Sequence, residues 1–547
     1  MPLPDGNVTW PPKEFEEYFE LLRIFDGWYV GDLDFLSTEY RHRPITHRAQ
    51  YNGGLVGIGA RAWWGKPPAA GEQRSRLHIP LAADIATLSA DYLFSEAPRV
   101  VLPGERSKDG TSERDTMQDR AEKVINTPAF HSLLLESGEV ASALGGTYLR
   151  LVWSQDQLDA VHADSVAADA AIPTFRFGRL HEVTFWRELA DDNGKVWRHL
   201  EHHEPGAVEH GLYRGSRDKL GDLMPVKERP ETAWLAEGVK DYEGGPVRIE
   251  TGVKGLTAAY VPNMRPNKLF RKSPRLTQLG VSDFSDITQI FDAVDEVWSS
   301  WMRDIRIAKA RIIVAKQYLE SGGFGQGASF DYDREVYEGI NALTGPDGKS
   351  IGITTFQPDI RGDQFAAAIK ELRDQAMRSA GWTPGSAGAA DSGLRTATEI
   401  KADERLSERT RDKKINYWKT LSPFFLTWLQ LDASLYGGTA PQEEPEFRFP
   451  AEAQADQESM ARTNQMLYAA QSASVETRVR AQHPEWDGET VNSEVKKIMA
   501  EFGIGAAADP TKVGTVHDDT APSEEDIQRM RDQMEREAAG ETPEDES

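Results

Sequence analysis

The stretch His199 to His210 reads HLEHHEPGAVEH and holds four histidines and three glutamates in twelve residues. If Pro205-Gly206 is a two-residue turn, Glu204 faces Ala207 and Glu201 faces His210. Side chains alternate along a strand, so His199, Glu201, His203 and His210 then share one face. Imidazole and carboxylate groups are suitable zinc ligands, and a centre built from them would make the chain a metal-dependent enzyme. The plainer reading is an exposed hairpin face carrying polar cross-strand pairs. It is favoured because nothing in the pattern reserves an open coordination position.

Other motifs are weaker. Gly57-Ile-Gly59-Ala-Arg-Ala62 imitates part of a dinucleotide fingerprint, but no clear strand precedes it and no βαβ unit follows. GGFGQG at 322–327 follows a helical pattern and reads as a flexible tip. There is no Walker A sequence, no nucleophile elbow and no HExxH. Trp63-Trp64 and the Trp298/Trp301 pair read as core packing before they read as binding platforms.

The totals set bounds. Cysteine is absent from the 547 residues, which excludes disulfides, thiol catalysis and cysteine-ligated metal. The start, MPLPDGNVTWPPKEF, lacks the basic and apolar regions of a secretory signal. The most apolar run, FFLTWLQL at 424–431, is far short of the roughly 20 residues needed to span a bilayer. A soluble protein with no membrane association is therefore expected. The net charge is −25. Affinity for nucleic acid comes mainly from neutralising phosphates, so a tight non-specific DNA binder is excluded. A surface past which DNA slides is not.

The elements come in a definite order. Residues 14–36 read as a helix that breaks at Gly27, and 80–98 as a helix that stops at Pro98. Residues 103–119 read as a polar loop. A helix over 128–144 ends at Gly145-Gly146, and strand patterns follow at 147–153, 183–189 and along the histidine hairpin. From 285 onward the pattern is mainly helical. Over 285–314, Ile287, Phe291, Val294, Trp298, Trp301, Ile305, Ala308 and Ile312 step by four and three, a sustained heptad seam. Asp286 with Gln289 supplies a start signal. Asp286, Asp292, Asp295 and Glu296 lie in the first half and Arg303, Arg306, Lys309 and Arg311 in the second, which complements the helix dipole; the plain reading of these charges is a solvated face. A glycine-rich mixed segment follows, with a turn at 345–348 and a short strand in GITTFQP. The next helix covers 363–381. The soft segment GWTPGSAGAADSGLRTAT comes after it, and then a long helix over 397–435 that Pro423 should kink. A connector at 440–450 leads to amphipathic helices near 452–471 and 489–502. The tail from Asp518 holds twelve acids against three arginines, with Ser523 and Asp526 as a capping box.

Taken in order, these elements resemble the portal proteins of tailed bacteriophages, in particular siphophages of Gram-positive and actinobacterial hosts. RAWWG at 61–65, LHIPLAADIATLSADYLFSEAP at 77–98, LGGTYLRLVW at 144–153 and GVSDFSDITQIFDAVDEVWSSWMRDIRIAKARIIV at 280–314 carry the resemblance, which covers most of residues 50–500. It implies an α+β portal fold: a mixed α/β wing over 1–284, stem helices at 285–314 and 363–381, and a small α/β clip over 315–362. A tunnel loop would occupy 382–396, with a long channel-to-crown helix and connector at 397–450. A helical crown with the acidic tail would take 451–547.

The resemblance also implies a homo-oligomeric ring of twelve subunits at one capsid vertex, through which double-stranded DNA is packaged and ejected. Such a ring nucleates head assembly, meets the major capsid and scaffolding proteins, and docks the terminase large subunit and then the head–tail adaptor. It would have no active site and no cofactor, and would belong to the virion, with assembly in the host cytoplasm. Thr383, Ser386, Ser392, Arg395 and Lys401 would then lie in or beside the channel, Arg303, Arg306 and Lys309 on the stem, and Phe324, Tyr332 and Tyr337 on the partner-docking clip. The small, uncharged loop residues suit a constriction that touches a moving polyanion without gripping it. Whether the seam packs within or between subunits stays open. Another ring-forming head–tail connector, and a metal enzyme on the histidine hairpin, are the alternatives.

Overall fold

The computed structural model describes residues 3–4, 6–41, 77–104, 112–154, 158–238, 242–307, 311–313, 320–321, 328–329, 354–356, 361–387, 397–450, 464–470, 472–483 and 488–501. Two compact units divide the chain at Pro450.

The first unit is mixed α and β. It opens with α1 (Glu16–Val30) and α2 (Leu33–Arg41). The expected break at Gly27 does not occur. Helix α1 runs through it and stops at Gly31, which takes a left-handed φ of 76°. Gly27 is instead a contact point: a Cβ there would sit 2.7 Å from the Phe35 ring of α2.

Helices α3 (Leu81–Phe94), α4 (Glu113–Val124) and α5 (Pro128–Leu144) follow, with strand β1 (Arg99–Val101) between the first two. Helix α4 begins inside the stretch expected to be loop, because Ser112 caps it by accepting the Asp115 N–H. Gly145 ends α5 in the left-handed region, as the glycine pair suggested.

Next come β2 (Gly146–Val152), β3 (His162–Ala167), β4 (Ala171–Arg176), β5 (Arg179–Asp192), β6 (Lys195–Glu204), β7 (Ala207–Ser216) and β8 (Lys219–Met224). Helix α6 (Pro230–Glu237) separates these from β9 (Val247–Glu250) and β10 (Ala258–Pro262). Two antiparallel sheets result. One has the order β4-β5-β6-β7-β8 with β9 also paired to β7, and the other has the order β10-β2-β3.

Helix α7 (Thr288–Ile307) is shorter than the seam implied. Asp286 does not start it: its carboxylate pairs with Lys268 Nζ at 3.2 Å. Nor does the helix reach Ile312, which lies in β11 (Arg311–Ile313). The inserted segment contributes β12 (Glu320–Ser321), β13 (Ala328–Ser329) and β14 (Thr354–Phe356), with β11 antiparallel to β14 and β12 to β13. Helix α8 (Gly362–Ala380) returns alongside α7.

Helix α9 (Ala397–Trp418) passes through a 3-10 turn at Lys419–Leu421 into α10 (Ser422–Tyr436). Pro423 falls in the first turn of α10, where a missing N–H costs nothing. Strand β15 (Glu446–Arg448) then pairs with β1. In the second unit residues 464–469 are helical, followed by α11 (Val475–Gln482) and α12 (Gly488–Glu501). No helix among the described residues is long and apolar enough to cross a membrane.

Two large cores hold the first unit. One joins α1 and α3 to both sheets, to the start of α7 through Ile287, Phe291 and Val294, and to the end of α8 through Ala376, Met377 and Ala380. The other gathers α4, α5, β2 and α10 around Phe130, Phe425, Trp428 and Phe447. Asp432 fastens this second core. It is 1% exposed, accepts two bonds from Arg120 at 2.7 and 2.9 Å, and takes the Val161 N–H at 3.1 Å. Removing it strands an arginine that is only partly hydrated, so Asp432→Ala should cost about 2 kcal/mol in urea unfolding. An unchanged urea midpoint would show that the pair contributes nothing.

Candidate functional site

The histidine hairpin has the register expected of it: Glu201 opposes His210 and Glu204 opposes Ala207. The face that carries it is not exposed. His199, Glu201, His203 and His210 are all buried, because this sheet lies against the β10-β2-β3 sheet and the segment leading into β10. Phe185 meets Tyr148 edge-on across that junction.

Each of the four side chains finds a protein partner. Glu201 receives the Arg150 guanidinium on one oxygen and His203 Nε2, at 2.7 Å, on the other. His203 Nδ1 lies 2.7 Å from Thr257 Oγ1. Arg150 also holds Asp164 of β3 at 2.7 Å. The His199 and His210 rings stack at 5.3 Å, with Nε2 of one 3.2 Å from Nδ1 of the other. The four ligand candidates are therefore brought together, yet they spend their lone pairs on Arg150, Thr257 and each other. Among the described residues no group of three or more His, Asp or Glu side chains could hold a metal ion.

Burial sets the protonation of this network. Burial, reinforced by the neighbouring His210, lowers His199 to about 3. Burial lowers His210 to about 4 against the opposing pull of Glu201. Burial alone would raise Glu201, but the His203 hydrogen bond and the charges of His203 and Arg150 outweigh it and hold the carboxyl well below its usual range.

The other predicted site lies at the end of α8, and it is built from the backbone outward. Gly381 takes φ 90°, its N–H reaches Arg378 O at 3.1 Å, and the Trp382 N–H reaches Met377 O at 2.9 Å, which closes the helix in a Schellman motif. A Cβ on Gly381 would lie 2.8 Å from Thr410 Oγ1, the hydroxyl that donates to Gly381 O at 2.7 Å.

Trp382 is fully buried between Tyr92, at 5.2 Å between ring centroids, and the Lys414 ammonium, 5.2 Å from its ring. The Thr383 N–H donates to Ser407 Oγ at 3.0 Å, and the two hydroxyls share a second bond at 3.0 Å. A 3-10 turn at Pro384–Ala387 follows.

Thr383 was expected to line a channel. Buried and bonded inward, it anchors the loop to α9 and presents nothing outward. Ser386 lies in the 3-10 turn and Lys401 near the start of α9. Ser392 and Arg395 lie outside the described residues. Sequence reasoning missed the anchors Ser407, Thr410 and Lys414. Their spacing of three and four on a helix was the available signal, since it marks a single polar stripe facing one neighbour.

Lys414 goes deepest. It is 0% exposed, with Nζ 2.7 Å from Ser89 Oγ and 2.5 Å from Asp283 Oδ2. Asp283 is further held by Ser142 Oγ at 2.6 Å and Asn263 Nδ2 at 2.8 Å. Burial pulls the Lys414 pKa down, with Asp283 opposing.

The α7/α8 pair is antiparallel. Asp304 bonds Arg361 at 2.9 Å and Trp301 stacks on Phe365 at 6.3 Å, while the opposite ends meet in the core. Asp295 is not on a solvated face. It is 8% exposed, lies 2.8 Å from His78 Nδ1 and accepts the Ile79 N–H at 3.0 Å. The seam changes character along its length. Ile287, Phe291 and Val294 are buried, Trp298 and Trp301 are half-buried, and Ile305 is 40% exposed. Arg303 is exposed, and Arg306 lies in the last turn of α7. Lys309, Phe324, Tyr332 and Tyr337 lie outside the described residues.

Scanned against protein-family models the chain finds no match, and a search of curated proteins finds none either.

The histidine network carries a pH expectation. His199 and His210 bind protons more readily unfolded, near pH 6.5, than folded, so stability falls as pH drops below about 6.5. From pH 7 to pH 5 each should remove about 2 kcal/mol. Urea midpoints at the two pH values should fall steeply for the native chain and less for His199→Gln/His210→Gln. Equal slopes would contradict the assignment.

Proposed function

We propose that this chain is the subunit of a phage-type portal, a ring-forming DNA conduit at a capsid vertex, and that it has no catalytic centre of its own. One observation supports the reading above others. An antiparallel helix pair, Thr288–Ile307 and Gly362–Ala380, brackets an inserted segment whose base is tied by an antiparallel strand pair. The second helix ends in a loop of small residues whose near end is clamped to the next long helix. In this reading the pair is the stem, the insertion is the clip, and residues 382–396 are the tunnel loop, clamped at 381–383.

The stem surface agrees with assembly. Toward its outer end two helices offer Trp298, Trp301, Phe365 and Ile305 to each other and to the outside, with Ile305 40% exposed. A two-helix hairpin buries too little apolar surface to be stable alone, and neighbouring copies in a ring would complete it. The partners that follow are double-stranded DNA in the channel, the terminase large subunit and head–tail adaptor at the clip, and capsid and scaffolding proteins around the wing. The strongly acidic chain suits a channel that does not grip DNA, with Arg303 and Arg306 supplying local contacts.

Negative-stain electron microscopy with mass photometry tests the architecture. Rings with a central hole and a mass near twelve subunits are expected, and a chain that stays monomeric at every concentration and with its capsid partners present would overturn the reading. Ile305→Glu should reduce the ring population at least tenfold while leaving the monomer's melting temperature within a few degrees, since it places a charge in the inter-subunit seam. Deleting residues 388–393, beyond the clamp, should leave rings intact and impair DNA packaging or retention. Broken rings would exclude the loop assignment.

A further inference from the structure

The second unit presents a groove that its described helices do not fill. Helix α11 packs on α12, and with residues 464–469 they surround a space of about 290 Å³ lined by Tyr468, Val475, Arg478, Val479, Ile498 and Met499. The rim is apolar and open: Met466 is 68% exposed, Tyr468 56% and Met499 38%. In its lining the Arg478 guanidinium lies 4.8 Å from the Tyr468 ring centroid, and its buried Nε has no hydrogen-bond partner among the described residues. Lys496 stands one helical turn from Met499. The three short helices among the described residues bury too little surface to be stable by themselves. The groove wants an amphipathic helix with an apolar stripe and carboxylates beside it.

We infer that residues 523–538 of the same chain fill this groove. The segment reads SEEDIQRMRDQMEREA, and Ile527, Met530, Met534 and Ala538 step by three, four and four, the stripe of a single helical face. Acidic side chains flank the stripe at Glu524, Asp526, Glu535 and Glu537, with Arg531 the one basic residue beside it. Charge selects the site. The segments 464–470, 472–483 and 488–501 carry as many basic as acidic residues, whereas residues 518–547 hold twelve acids against three arginines and are repelled by most of a chain of net charge −25. Arg478 supplies a donor that accepts a carboxylate in the fork geometry peculiar to arginine. Reach is sufficient. Residues 502–522 can span up to about 70 Å extended, against about 21 Å for the length of the 14-residue α12. The inference stands apart from the portal reading and depends only on the second unit.

The absence of cysteine makes the test clean. In the full-length chain, Met499→Cys with Met530→Cys should form an intrachain disulfide under mild oxidation at least tenfold faster than Glu476→Cys with Met530→Cys, whose first position is exposed and does not line the groove. Raising the salt to 1 M should slow the first pair about threefold by screening the carboxylates, and adding Arg478→Gln should slow it similarly. Hydrogen exchange of 523–538 in the cysteine-free chain gives a second measure: protection should be lost on Val479→Glu. Equal rates for the two cysteine pairs, disulfides found only between chains, or exchange that Val479→Glu leaves unchanged would each overturn the inference.

Discussion

A lysine ammonium with no access to water holds the first unit together. Lys414 would be costly to bury alone, since an isolated charge in the interior loses its hydration. Asp283 offsets that loss, and Ser89, Ser142 and Asn263 satisfy what remains of the two groups. The consequence is topological. These five residues come from α3, α5, α9 and the segments at Asn263 and Asp283, and none can shift without unpairing a buried charge or breaking a hydrogen bond to one. Trp382 then lies against the same ammonium. The end of α8 is thus positioned by a charge on α9, and the helix pair, the wall of α3 and the start of the small-residue loop share one reference point.

Most of the helical order was legible because apolar period and glycine stops act locally. The close of α5 at Gly145, the β6–β7 register and the break of the long helix near Pro423 all follow from residues within a turn of the event. The errors have a common physical source, which is that the deciding partner is distant in sequence. Gly27 looked like a break because its partner, Phe35, belongs to the next helix. Asp286 looked like a cap because Lys268 could not be foreseen. Asp295 looked solvated until His78 and Ile79 arrived. At the candidate sites the register of the histidine hairpin was readable, but its burial was not, since Arg150 and Thr257 that cover it lie on other elements. The resemblance places Thr383 beside a channel, and only the fold reveals that Ser407 draws it inward.

The two polar clusters illustrate different uses of burial. Around Lys414 the charges are opposite and bind separate segments. Around His199 and His210 the rings are stacked and buried, which favours their neutral form, and the Glu201 carboxylate is shared between Arg150 and His203. The first cluster fixes position. The second makes two sheets adhere through groups that tolerate burial only while unprotonated, which confines their full contribution to neutral and alkaline conditions.

The clamp at residues 381–383 also has a mechanical meaning. Force applied to the loop beyond Ala387 reaches three short bonds before it reaches the rest of α8: Thr383 to Ser407 twice, and Thr410 to Gly381. These join α9 across a single helical turn, and the Trp382 ring is wedged directly behind them. A pull on the loop is therefore passed to α9 as a push against its side and not as an unravelling of the preceding helix.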